Sequence, residues 1–193
     1  MKIVKKFFMA IFATVMLVAC SGDKTTVATE LLTEIQQANS IFADMQVSEI
    51  DMKSVATYYK DAKNNWESFQ EGNIPTLYKP GAAAQVKIAS FLAEQLETNE
   101  ENIVSAVLGT EANGIATGIY LYIFPTDIST AITQEELALA NELTKNAETG
   151  EFYYINGNKL VTVEFVSGLD SELVFSVIDG VIAKQEESSS NQA

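Results

Sequence analysis

Histidine and arginine are absent from the 193 residues, and cysteine occurs once, at Cys20. Without histidine the chain lacks the common general base, the commonest metal ligand and any Ser-His-Asp arrangement. A single cysteine permits no internal disulfide, so stability must come from packing. All 12 basic residues are lysines, set against 26 acidic ones, for a formal charge of −14. Such a surface repels phosphate backbones, and no nucleic-acid partner is expected. An Asp-rich calcium loop with its fixed glycine is also missing. Glu111-Ala112-Asn113-Gly114 and Asn156-Gly157-Asn158 offer too few oxygens and read as turns, so no metal site is expected. Nor is there a phosphate loop or dinucleotide fingerprint. Gly109, Gly114 and Gly118 fall between two strand-like runs, where no helix N-terminus could face a phosphate. No cofactor is expected.

What the chain does have begins at its first residue. Met1-Lys2-Ile3-Val4-Lys5-Lys6 is basic, and Phe7 to Ala19 is apolar except for Thr14. A basic start, a short apolar run and a small residue make a secretory signal. The run is shorter than the roughly 20 residues a bilayer span needs. It closes on Leu17-Val18-Ala19-Cys20, an apolar residue, a valine, an alanine and the sole cysteine. This lipobox resembles that of bacterial lipoproteins, over about the first 20 residues.

The resemblance implies cleavage between Ala19 and Cys20, a diacylglyceryl group on the Cys20 sulfur, and a further acyl chain, such as palmitate, on its new amino terminus. Two or three chains at about 0.8 kcal/mol per buried CH₂ hold a protein on a membrane stably. Loss of residues 1–19 leaves nine lysines against 26 acids and moves the formal charge to −17. Ser21 stands where the family carries Asp for inner-membrane retention. The resemblance therefore implies an outer membrane, facing the periplasm, in a cell with two membranes, and the outer face of the cytoplasmic membrane in a cell with one.

Residues 20–26 read as a lipidated tether, with Ser21 to Thr26 small and polar. From Asp23 to Glu71 there is no Gly or Pro. Leu31, Ile35, Ala38, Phe42 and Met45 alternate steps of four and three, which predicts a helix over about 27–46. Met52, Val55, Ala56, Tyr59, Trp66 and Phe69 predict a second over about 49–70, joined tightly to make a helical hairpin spanning 27–71. Trp66 with Tyr58 and Tyr59 could form a sugar-stacking platform, but at helical spacing such rings are expected in the core.

Gly72 to Gly81, with Pro75 and Pro80, is the clearest internal break. Val86, Ile88, Ala89, Leu92, Ala93 and Leu96 predict a helix over about 81–98. Ile103 to Leu108 and Ala116 to Phe124 predict paired strands. Neither face of Ile119 to Phe124 is polar, so that strand is expected to be central and covered on both sides. Thr133 three residues before Glu136 is a capping-box signature. Phe152 to Ile155 and Lys159 to Val166 flank Asn156-Gly157-Asn158, a hairpin signal. Val174, Val177, Ile178, Val181 and Ile182 favour a helix over about 170–184, capped by Asp170 or Ser171, with a turn at Asp179-Gly180 as the competing reading. Residues 186–193 read as a disordered polar tail. The expected fold class is α+β: the helical hairpin, then a domain over 81–185 made of a small antiparallel sheet with helices packed on one face.

Paired carboxylates are the one generic catalytic device left. Glu100-Glu101, Glu135-Glu136 and Glu186-Glu187 sit at predicted helix ends or in the tail, and solvated surface is the expected reading of each. The favoured function is thus a non-enzymatic, lipid-anchored envelope protein that binds or scaffolds an envelope partner. A carboxylate-dependent hydrolase of envelope glycan or peptide is the alternative, with two nearby buried acids in a cleft as its structural sign. A periplasmic ligand-binding or inhibitor module using Tyr120, Tyr122, Phe152, Tyr153 and Tyr154 requires an exposed aromatic patch, and most of those rings are expected in the core instead.

Overall fold

The computed structural model describes residues 24–50, 52–71, 80–112, 115–145, 149–166 and 170–190. The leader, Ala19 and Cys20, and residues 72–79 of the internal break lie outside them.

Helix α1, Lys24–Ala38, buries Ala28, Leu31, Leu32 and Ile35, an i, i+3, i+4, i+7 stripe. It takes in residues 24–26 of the expected tether, and it ends eight residues before the expected 46. Asn39 is the reason. Its backbone is extended (φ −148°, ψ 139°) and its Oδ1 accepts from the Ile41 amide at 3.1 Å, starting a 3-10 turn at Ser40–Phe42. Phe42 and Met45 are still buried in the same cluster as α1. The apolar spacing was therefore real, while the local hydrogen bonding of Asn39 overrode helix continuation. The chain then forms strand β1, Gln46–Ser48, before helix α2, Met52–Glu71.

Helix α3, Pro80–Thr98, follows, then strands β2, Val104–Ala112, and β3, Ile115–Ile123. Helix α4, Gln134–Thr144, opens on Thr133 with the expected capping box. Strands β4, Thr149–Asn156, and β5, Lys159–Val166, make the expected hairpin, with Gly157 at φ 57° in its turn. Helix α5, Ser171–Ser190, confirms helix over hairpin for the last element and includes residues 186–190, which read as disordered tail. Asp170 Oδ1 caps it, accepting from the amides of Glu172 and Leu173. Gly180 is tolerated inside it because its position faces open space.

The five strands form one sheet in the order β1-β2-β3-β5-β4, every neighbouring pair antiparallel. The α+β class is as expected, with β3 central and covered on both sides. Helices packing on one face is corrected: they cover both. Ile119 and Leu121 share a cluster with Ala106, Leu108, Val161, Val163, α1 and α5, whereas Tyr120 and Tyr122 share one with Val107, Leu160, Tyr153, α2, α3 and α4. Strands apolar on both faces need cover on both. The tight helical hairpin is corrected for the same reason, since α1 and α2 belong to opposite layers. Edge strand β1 and the turn before it carry the chain across.

Candidate functional site

The layer under α2 contains the polar cluster of the fold. A two-residue turn at Gly157-Asn158 fixes Asn156 opposite Lys159, and counting outward along the ladder puts Glu151 opposite Glu164. Both carboxylates stand on the same face as Tyr153, Thr162 and Leu160, because alternate residues of a strand share a face. Like charges directly opposite on antiparallel strands repel. Here the neighbours that compensate them are tyrosine hydroxyls rather than lysines.

Tyr59 Oη donates to Glu151 Oε1 at 2.9 Å, and Tyr153 Oη donates to Glu151 Oε2 at 2.7 Å. Across the pair, Tyr120 Oη donates to Glu164 Oε2 at 3.3 Å. Gly118 makes the last bond possible. It pairs with Glu164 on the neighbouring strand, and the Tyr120 ring lies across it, where an added Cβ would come within 3.0 Å of Tyr120 Cε2.

Glu164 is buried and Glu151 half-buried. Burial raises the Glu164 carboxyl to about 8, with repulsion from Glu151 adding to it and the Tyr120 hydrogen bond opposing it. The Glu151 carboxyl is also raised by burial, against which the hydrogen bonds of Tyr153 and Tyr59 act. Burial first, and the two carboxylates second, hold the hydroxyls of Tyr58, Tyr59 and Tyr120 protonated well above the ordinary tyrosine range. They are therefore fixed as hydrogen-bond donors. Beside them Thr162 is wholly buried, and its Oγ1 has no hydrogen-bond partner.

A cavity opens over this cluster between α2 and the sheet, lined by Val55, Tyr58, Tyr59, Tyr120, Tyr122 and Glu164. Its empty volume is about 190 Å³, counted to its open side. Sites for drug-sized ligands run from roughly 300 to 1,000 Å³. The Tyr58 and Tyr59 rings stand 5.1 Å apart at 72°, forming two walls near a right angle.

The acidic pairs that the sequence offered lie elsewhere. Glu100 and Glu101 are exposed on a 3-10 turn. Glu135 is exposed, and Glu136 is used by the cap of α4 and by Lys87 of α3, whose Nζ lies 2.6 and 2.8 Å from its carboxylate oxygens. Those hydrogen bonds hold the Glu136 carboxyl below its ordinary value. Glu187 is exposed on α5. Asn158 is committed to structure, its amide donating to the Phe124 carbonyl at 2.7 Å, while Asn113 and Gly114 lie outside the described residues.

Among the aromatic residues, Tyr120, Tyr122, Phe152 and Tyr153 are buried and Tyr154 is half-buried against Phe175, so these rings belong mainly to the core. The Trp66 side chain is outside the described residues; Tyr59 is buried. Glu151 and Glu164 were missed although the signal was present. Each is a lone acid at an inward position of an otherwise apolar strand, in a hairpin whose register the Asn-Gly-Asn turn sets.

Scans against protein-family models, curated proteins and solved structures each return no match.

Proposed function

We propose that the chain is a membrane-anchored bacterial lipoprotein of the cell envelope, with a non-enzymatic binding role. The observation that carries this reading is the leader closing on Leu17-Val18-Ala19-Cys20. Lipid on Cys20 is the attachment, since among the described residues no helix is long and apolar enough to cross a membrane. Residues 21–23 then separate the lipid from α1, and the partner is an envelope component rather than nucleic acid. The protein faces the periplasm from the outer membrane in a two-membrane cell, and the outside from the cytoplasmic membrane in a one-membrane cell. The test is membrane fractionation of wild type against Cys20→Ala, with the mass of the mature N-terminus. Wild type is expected in the membrane fraction, acylated and starting at Cys20, and the variant is expected to lose the lipid. A variant that stays membrane-bound would refute the anchor.

The Glu151–Glu164 pair favours a second reading, a carboxylate-dependent hydrolase of envelope glycan or peptide. A raised carboxyl beside a second acid suits general acid catalysis. The cavity volume argues against it, because a sugar ring with its neighbours needs more room than about 190 Å³. Turnover of an envelope glycan or peptide that disappears in both Glu151→Gln and Glu164→Gln would establish the hydrolase.

A further inference from the structure

Two carboxylates lie together in this layer with no cation to balance them. The groups facing them are Tyr58 and Tyr59 from α2, Tyr120 and Tyr122 from β3, and Tyr153 from β4, and no lysine contributes to the state of either acid. Their hydrogen bonds are also incomplete. Among the described residues Tyr120 is the donor to Glu164, at Oε2, which leaves Oε1 open. Thr162 Oγ1, two residues before Glu164 on the same face and level with Tyr120 and Tyr153, has no partner although the side chain is wholly buried. A buried hydroxyl without a partner costs about 1–3 kcal/mol and marks a place where a water or ligand completes the network. Glu164 itself lines the cavity, whose enclosed part admits one water-sized group.

The missing group must therefore be small, positively charged and rich in donors. A calcium ion takes six to eight oxygens, and among the described residues no three acidic, histidine or cysteine side chains gather to hold a metal. A quaternary ammonium is larger than one water and has no donor. A primary ammonium has the size of a water, carries three donors and no acceptor, and is attracted to aromatic faces as well as to carboxylates. We propose that the cavity between α2 and the sheet binds a primary ammonium group, held by Glu164 and the Thr162 hydroxyl among the Tyr58, Tyr59, Tyr120 and Tyr122 rings, with its alkyl tail leaving past Val55.

This assignment rests on the binding role proposed above and gives it a ligand class. Because the ammonium needs Glu164 ionised, binding at lower pH displaces one proton, and affinity falls about tenfold per pH unit below the Glu164 titration near 8.

The experiment is calorimetric titration of the full chain in detergent at pH 6, 7 and 8 with n-butylammonium, its neutral isostere n-butanol, tetramethylammonium, calcium chloride and Nα-acetyl-lysine amide. Saturable binding of n-butylammonium is expected, at least tenfold tighter than n-butanol or tetramethylammonium and weakening toward pH 6. Glu164→Gln, folded by circular dichroism, is expected to weaken it tenfold or more. Equal binding of the lysine amide would identify a partner's lysine side chain as the source of the ammonium, and binding of n-butylammonium alone a free amine. Equal binding of n-butanol, binding of calcium in place of the amine, or no heat from any amine to wild type would overturn the proposal whether or not the variant folds. Anchoring is read by fractionation and does not enter the titration, so a lipidated protein that takes no amine sinks this assignment alone.

Discussion

The side-chain amide of Asn141 pairs with both backbone groups of Tyr153, its Oδ1 accepting from the Tyr153 amide at 2.8 Å and its Nδ2 donating to the Tyr153 carbonyl at 2.9 Å. Asn141 on α4 thus serves the outer edge of β4 as a neighbouring strand would, closing an edge that is otherwise open to another chain. It also fixes the strand that carries Glu151, whose carboxylate takes the Tyr153 hydroxyl.

Replacing Asn141 with Ala removes both bonds and leaves the backbone groups of Tyr153 half-buried under α4. At about 0.5–1.5 kcal/mol for each net hydrogen bond, the expected loss is roughly 1–3 kcal/mol, measured by urea unfolding. Asn141→Asp keeps the acceptor and turns the donor into a second oxygen facing a carbonyl, so it is expected to cost at least as much. An Ala variant as stable as wild type would show that the amide adds nothing to the edge.

Glu164 sets the sign of the pH dependence. Its carboxyl is raised in the folded chain from an ordinary 4.5 to about 8. The folded state therefore holds a proton that the unfolded state has released across that window. Stability is highest below about pH 4.5 with respect to this group and falls as pH rises toward 8, by at most about 1.4 kcal/mol per pH unit. Glu164→Gln fixes a neutral side chain of the same shape. It is expected to leave stability at pH 5 nearly unchanged, to raise it at pH 8 and to flatten the curve between, read by thermal melts at pH 5, 6.5 and 8. A wild-type melting temperature that rises over this range, with a variant that follows it, would contradict the buried, protonated carboxyl.

Most elements of this fold were legible because short-range chemistry fixes them. The Thr133 cap, the Asn156-Gly157-Asn158 turn and the doubly apolar β3 each act within a few residues. The errors arose where tertiary pairing decided the outcome. Gln46–Ser48 has no strand-like composition, and only its register against Val107, Leu108 and Gly109 makes it a strand. The site was harder to see for a related reason. Glu151 and Glu164 lie 13 positions apart in sequence and look like isolated surface acids, and α2 contributes Tyr58 and Tyr59 from the far side of the internal break. The hairpin turn did determine their pairing. What the sequence did not show was that α2 would cover that face.

Gly118 offers the sharpest test of how the carboxylate pair is tuned. An alanine there would set its Cβ 3.0 Å from Cε2 and 3.4 Å from Cζ of Tyr120, so the ring must move off the strand and carry its hydroxyl away from Glu164. Two effects follow. Crowding in a packed layer costs about 1–3 kcal/mol, partly offset by the roughly 0.4–1 kcal/mol that Gly→Ala recovers from the unfolded chain. Loss of the Tyr120 donor also removes a bond that favours the ionised acid, so the Glu164 titration moves up from about 8. Tyr120→Phe deletes the same hydroxyl without displacing the ring. Carbon-13 NMR titration of the glutamate carboxyls is therefore expected to show the same upward shift in both variants, while urea unfolding shows the crowding penalty in Gly118→Ala alone. If the Glu164 midpoint stays in place in both, the Tyr120 hydroxyl does not tune the acid, and the absent side chain at 118 serves only the packing of the ring.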